Sequence, residues 1–320
     1  MKPYLYYEGL LNLSKELTGK ENIYLGIRPY GFHAGNMSTL VVYPILLCKQ
    51  LQKLGKTPSF KIFVFINDWE QNKLDGPDPK KYPYNTYPLD TTFQYTFDPQ
   101  LPTKNKNVVN YWEPVIAENV MTLKRLYPKV TIKVIRNSQM KNDLRMKKCV
   151  LVTIKKPIIL ANILKKYGNK PLLEKPLVYS LAVCPSCHFA KGKTKVINRD
   201  IIVHHCEKCG KESTNNYKLF DYWLYHKPLA LPRLEICKID ICITGADHYT
   251  EGDFLIRKAL IKAYGAEVKT PKTLYAPIVL GSNGLPMGKS KGNAVTLPLE
   301  KLIDLNLINQ NAKEIKIDKI

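Results

Sequence analysis

The stretch from Ile23 to Ile66 constrains this chain most, because it carries strand, turn, helix and strand signals in the order of a βαβ unit. Ile23-Tyr24-Leu25-Gly26-Ile27 is apolar and extended in character, and Pro29 and Gly31 break it. His33-Ala34-Gly35-Asn36 then opens a helix running to about Leu54, and Ser59 to Ile66 reads as a buried strand. Two strands so joined are parallel, with a right-handed crossover. The turn before such a helix suits a polyphosphate, since backbone N–H groups and the positive end of the helix dipole point at it. His33 would add an imidazole donor, and Gly35 would let the nucleotide approach the backbone.

A second stretch, Pro286-Met287-Gly288-Lys289-Ser290-Lys291-Gly292-Asn293, is a glycine-flanked loop with two lysines two residues apart. A compact ammonium on a flexible stem suits transient neutralisation of a transferring phosphoryl group. Together, His33-Ala34-Gly35-Asn36 and Lys289-Ser290-Lys291-Gly292-Asn293 resemble the two signature sequences of class I aminoacyl-tRNA synthetases, in the right order.

The 320 residues suffice for one large or two modest domains, and 45% hydrophobic with 24% charged residues is ordinary for a globular chain. No apolar run reaches the ~18 residues of a membrane span, and Met1-Lys2-Pro3-Tyr4 lacks a secretory apolar region. A cytoplasmic protein without membrane contact is the expectation. Lys and Arg number 49 against 27 Asp and Glu, a net charge of +22 that favours polyanions such as RNA. Lysines solvating an ordinary surface account for the same count. The dense set from Lys141 to Lys170 equally suits amphipathic helices.

Along the chain, Tyr4 to Gly19 reads as a lead-in helix with Leu10, Leu13 and Leu17 on its apolar side. The strand Ser59 to Ile66 ends at Asn67-Asp68-Trp69-Glu70, a carboxyl end of the kind that lines ligand crevices. Asp68 would fix a substrate ammonium there, with Trp69 beside it, or simply cap a turn. Residues 72–107 are rich in proline and tyrosine and read as an insertion. Val108 to Leu126 reads as a helix, Val130 to Ile135 as a strand and Lys156 to Tyr167 as a helix. Cys184-Pro185-Ser186-Cys187 and Cys206-Glu207-Lys208-Cys209, eighteen residues apart, form two Cys-x-x-Cys knuckles. Four thiolates suit a closed structural zinc ribbon, whereas a redox dithiol needs only one such pair. Glu235 to Thr244 reads as a strand ending at Gly245-Ala246-Asp247-His248. Asp247 would bind ribose hydroxyls or substrate ammonium and His248 a polar group, or Asp247 would cap a helix from Thr250 to Ala263. A last strand, Leu274 to Leu280, leads to the lysine loop, and Leu297 to Leu307 forms a closing helix.

The order of these features is most similar to that of class I lysyl-tRNA synthetases, from Ile23 to Val295. Arg233, fourteen residues before Asp247, fits that family's Pro-Ala-Arg to Gly-Lys-Asp-His spacing. The resemblance implies an α/β, Rossmann-like doubly wound parallel sheet of the HUP type, with a proline-rich insertion and a four-cysteine zinc ribbon. It divides the chain into a first half of the nucleotide domain (1–178), the ribbon (179–215) and a second half (216–320). It implies ATP with Mg2+, a structural Zn2+, an amino acid with lysine favoured, and a tRNA acceptor end. By the resemblance, His33, Asn36 and Lys289 are catalytic. Gly31, Gly35, Asp247, His248 and Ser290 join them around the nucleotide, and Cys184, Cys187, Cys206 and Cys209 hold the metal. A lysine pocket needs a carboxylate, for which Asp68, Glu70 and Asp240 are candidates. The sequence departs from the family pattern at Tyr30-Gly31, where the turn is shorter, and at Pro286, where the first signature lysine is expected. Only Leu297 onward stands where lysyl enzymes continue into an anticodon-binding domain, which implies acceptor-end recognition alone, a separate anticodon-binding subunit, or another acceptor. A synthetase-like RNA-binding or regulatory module is the alternative.

Overall fold

A computed structural model describes residues 3–29, 32–70, 91–97, 101, 107–168, 179–287, 293, 295–309 and 312–317. Gly31, Lys289, Ser290 and most of the insertion expected at 72–107 lie outside these. The strands are β1 (Tyr4–Leu5), β2 (Asn22–Ile27), β3 (Lys61–Ile66), β4 (Thr131–Arg136), β5 (Ser180–Ala182), β6 (Gly192–Val196), β7 (Ile201–Cys206), β8 (Glu212–Asn216), β9 (Tyr222–Leu224), β10 (Ile241–Gly245), β11 (Lys272–Ala276), β12 (Ile278–Leu280) and β13 (Glu314–Lys316).

Six of them form one parallel sheet in the order β1-β11-β10-β2-β3-β4. Side chains of a strand alternate between faces, and both faces here are apolar, as in a parallel sheet covered on each side. Ile23, Leu25, Ile62, Val64, Ile241 and Ile243 pack into one core with the helices Tyr6–Glu16, Tyr43–Lys53, Val108–Leu126 and Leu299–Ile308. Tyr24, Phe63 and Phe65 face the other, formed with Leu144–Lys155, Pro157–Tyr167, His226–Ile236 and Asp253–Tyr264. Chain order reverses where β10 lies beside β2, with Ile241 opposite Ile23. In such sheets the crevice outside the carboxyl ends of the two strands at the reversal is where ligands bind. The segments after β2 and β10 carry His33 and Asp247.

Several elements differ from the sequence reading for identifiable reasons. The helix after β2 begins at Ala34, passes through a π segment at Ser38–Val42 and resumes as Tyr43–Lys53. Pro44 offers no N–H and would crowd the preceding turn of a regular α-helix, and the widened segment ends beside it. Glu235 and Ile236 close the helix His226–Ile236 and do not open a strand, so β10 is confined to Ile241–Gly245. The expected strand from Leu274 splits at Pro277, and β12 leaves the main sheet to pair with β13. The lysine-dense region folds as two helices. Within it Arg145 pairs with Asp143, Lys147 with Asp200, and Lys148 donates to the Gly265 carbonyl. No helix among the described residues is long and apolar enough to cross a membrane.

Candidate active site

His33 is the N-cap of the helix that begins at Ala34. Its Nδ1 accepts from the Gly35 amide at 3.2 Å, while Asn36 Oδ1 accepts from the His33 amide at 3.4 Å. The two side chains thus close a capping box. With Nδ1 accepting, the proton of a neutral ring sits on Nε2, which makes that nitrogen a donor. The Ala34 amide is also engaged, donating to the Val295 carbonyl at 2.8 Å. The Ala34 and Gly35 amides, which the sequence assigned to the phosphates, are therefore bonded within the protein.

The second signature segment meets the helix at this point. A Cβ placed on Gly35 would lie 3.9 Å from Met287 Cβ. Met287 is fixed by its amide, which donates to the carbonyl of Val279 in β12 at 2.7 Å, and Val295 is bonded to Ala34. Asn293 staples the segment, its Nδ2 donating to Asn283 Oδ1 (2.8 Å) and the Leu285 carbonyl (3.0 Å). Of the described residues flanking Lys289 and Ser290 in the sequence, Val295 is bonded to the His33 turn and Met287 lies beside it.

Beyond β3, the residues expected to face the substrate divide into inward and crevice groups. Asp68 is fully buried. Its Oδ1 accepts from the Asn137 amide (2.9 Å) and the Ser138 amide (3.3 Å), and its Oδ2 from the Ser138 hydroxyl, tying β3 to β4. Burial pushes its carboxyl up to about 6 against the pull of these donors. Trp69 is also fully buried, edge-on to Tyr222. Asp240 receives the Asn22 amide at the amino end of β2, away from the crevice. Glu70 is the carboxylate that meets charged groups near the crevice: Arg28 Nε donates to it at 2.8 Å, and His226 Nδ1 lies 3.4 Å away. Burial raises its pKa most strongly, but Arg28, His226 and Arg233 together outweigh that and hold the carboxyl below its ordinary range. Burial also holds His226 neutral, pushed down to about 3, so Arg28 supplies the positive charge opposite Glu70.

Arg233 lies beneath this turn, 1% exposed. Its three nitrogens donate to Asn137 Oδ1 (2.9 Å), the Tyr24 hydroxyl (2.7 Å) and Asn67 Oδ1 (2.5 Å), and the guanidinium sits 5.4 Å from the Phe65 ring centroid. The guanidinium thereby joins the carboxyl ends of β3 and β4 to the side of β2. After β10, Asp247 is exposed and His248 half-buried on the short helix Ala246–Thr250. Glu251 raises the His248 pKa over the opposing effect of burial. Lys227 bridges Glu251 (3.3 Å) and Asp253 (2.8 Å), and Arg257 closes on Asp253 and on Thr273 Oγ1 (3.0 Å), so the segment after β10 rests on a buried ion network. Arg28 and Lys227 lack a motif spacing; Arg28 follows a strand that the sequence marks, whereas Lys227 stands at the start of the helix His226–Ile236, which it does not mark.

A family model described as tRNA synthetases class I (K) matches residues 10–304. The chain belongs to this family of class I tRNA synthetases. Among solved structures 92 chains match. Tyrosyl-tRNA synthetase from Archaeoglobus fulgidus, complexed with L-tyrosine, is 15% identical over 90% of this chain and 64% of its own, with a TM-score of 0.43. Tyrosyl-tRNA synthetase of Leishmania major, in complex with tyrosinol, is 13% identical over 91% of this chain and 32% of its own, with a TM-score of 0.44. A glutamate tRNA ligase from Elizabethkingia meningosepticum, in complex with its amino acid, is 12% identical over 85% and 52%, with a TM-score of 0.34. This synthetase chain spans less than two thirds of the length of each of these three. No curated protein matches it.

The synthetase's four knuckle cysteines come together although they enter from two hairpins. Cys184, Cys187, Cys206 and Cys209 place all four Sγ atoms within 4.8 Å of one another at the end of the β6-β7-β8 antiparallel sheet. Four convergent sulfurs are the donor set of a closed tetrahedral zinc site. Backbone N–H donation from Lys211 pulls the Cys209 thiol down to about 7, while burial pushes Cys187 up to about 12 and also raises Cys206.

Proposed function

We propose that this synthetase activates an amino acid, with lysine favoured, as its adenylate and transfers it to the 3′ end of a tRNA. The observation that carries the reading is that Val295 is bonded to the His33 turn and Met287 lies beside it, one on each side of Lys289 in the sequence. Lys289 follows Met287 by two residues in the sequence, and Met287 lies beside that turn. His33 donates through Nε2 to the triphosphate, and Asn36 keeps the cap in register. Lys289 offsets the charge that builds on the α-phosphate oxygens in the transition state. A carboxylate oxygen of the amino acid attacks the α-phosphorus, the bond to the β-bridging oxygen breaks, and pyrophosphate leaves. The ribose hydroxyl at the tRNA terminus then attacks the activated carbonyl and releases AMP. Mg2+ accompanies the triphosphate, and Asp247 and His248 line the adenylate side of the crevice.

Glu70, with Arg28 alongside, supports a cationic substrate with its own carboxylate, since the pair offers one charge of each sign near the crevice. Cys184, Cys187, Cys206 and Cys209 would hold a structural Zn2+, which supplies folding free energy to the ribbon and takes no part in the chemistry. ATP–pyrophosphate exchange with each of the twenty amino acids, with and without bulk tRNA, tests the assignment. Exchange that depends on lysine supports it. Exchange with another amino acid overturns the specificity, and exchange with none moves the reading to a synthetase-like RNA-binding module.

A further inference from the structure

The four-cysteine ribbon and the crevice are joined by a short piece of chain, residues 91–97. On one side this piece is seated on the first knuckle. Thr91 forms an antiparallel bridge with Phe189, and the Tyr95 ring stacks on His188 with centroids 4.4 Å apart and planes at 13°. His188 directly follows the ligand-set residue Cys187, its amide donates to the Cys184 carbonyl at 2.9 Å, and its backbone is left-handed (φ 59°). Tyr95 is locked further by its hydroxyl, which donates to Asp221, a carboxylate also held by Lys141 at 2.9 Å. On the other side, the Phe93 amide donates to the Glu70 carbonyl and the Gln94 amide to the Asp68 carbonyl, each at 3.0 Å. The backbone of the turn that presents Glu70 is therefore carried by a segment whose other edge rests on the knuckle.

We infer that His188 and Tyr95 are positioning residues through which metal binding at the four cysteines sets the Asp68–Glu70 turn, and with it the affinity of the crevice for its amino acid. Four thiol groups without a metal have no reason to converge, and the apolar cluster beside the knuckle is small: Leu181, Val183, Ala190 and Trp223, with Tyr95 packed against it. Loosening it unseats Tyr95 and Thr91, and the Phe93 and Gln94 hydrogen bonds, two of those that hold the turn, go with them. The inference rests on the amino-acid site proposed above.

The test uses the full chain loaded with one equivalent of zinc, read by lysine binding in a calorimeter and by amide hydrogen exchange before and after chelation. In the unaltered protein, chelation is expected to weaken lysine binding about tenfold, the effect of losing one or two backbone hydrogen bonds. Protection of residues 68–70 and 91–97 should fall together. His188→Gly, which suits the left-handed backbone, and Tyr95→Leu should bind zinc one to one yet show the weakened affinity already. Chelation should then change that affinity less than about twofold, because the link is cut. The inference is overturned by failure of the protein to take up zinc, or by chelation leaving exchange at 68–70 unchanged in the unaltered protein. It is equally overturned by an undiminished response to chelation in both variants. Absence of lysine binding together with metal-dependent protection of 68–70 overturns the substrate reading and leaves the mechanical link standing.

Discussion

Gly35 and His33 act as one unit, since a methyl group on Gly35 would come within 3.1 Å of His33 Cε1 and Nδ1. Gly35→Ala must turn the imidazole away from the Gly35 amide, while the change suits a helix. The expected outcome is a rise of about tenfold or more in the ATP dissociation constant, the loss of one oriented contact, with a melting temperature that does not fall. An unchanged ATP affinity would show that the ring does not face the nucleotide. Asp68 carries a different prediction. Below its ordinary 3.8 the carboxyl is protonated in folded and unfolded chains alike, and between there and about 6 the folded chain alone keeps the proton. Stability contributed by Asp68 is therefore present at low pH and lost as pH rises through that window. Asp68→Asn keeps a donor and an acceptor for Ser138 and the backbone. It should be the more stable protein above pH 6, by at most about 3 kcal/mol, and the gap should close toward pH 4 in urea titrations. A gap that is flat across that range would show that Asp68 stays ionised.

At the scale of elements, the guanidinium of Arg233 joins three strands to the helix His226–Ile236 with no salt bridge to a carboxylate among the described residues, so geometry more than charge holds it. Arg233→Lys keeps the charge but cannot reach Tyr24, Asn67 and Asn137 together. It should cost about 3 kcal/mol, measured by denaturant unfolding, through the buried oxygens it leaves unpaired. A cost below about 0.5 kcal/mol, the scale of a surface change, would contradict that role. The same residue marks how far the sequence could be read. Arg233 was visible as part of a motif, and the strand–turn–helix from Ile23, the helix Val108–Leu126 and the two knuckles were visible from periodicity and spacing. The helix around Arg233 was not, because Pro228 and Pro232 disguise its apolar period and Ile236 to Ile243 alternates like a strand. Within the site, His33, Gly35 and Asn36 follow from local pattern. The inward turn of Asp68 depends on Asn137 and Ser138, about seventy residues away, and the setting of Glu70 on Arg28 and His226, contacts that no local pattern encodes.

For the whole molecule, the net charge of +22 bears on the acceptor. RNA bound through phosphate contacts should release counterions, so the logarithm of affinity for bulk tRNA is expected to fall linearly with the logarithm of salt concentration. A filter-binding series showing no salt dependence would remove the charge from the account of RNA recognition. The parallel sheet brings together segments more than 250 residues apart, residues 33–36 after β2 and Met287 beyond β12, and the account stands on their sharing one triphosphate. The most direct test is the rate of lysine-dependent ATP–pyrophosphate exchange in Lys289→Ala beside the unaltered protein. The account predicts a fall of at least ~100-fold with an unchanged melting temperature, on the scale of one lost transition-state contact. Exchange that continues at the original rate without the Lys289 ammonium would contradict it.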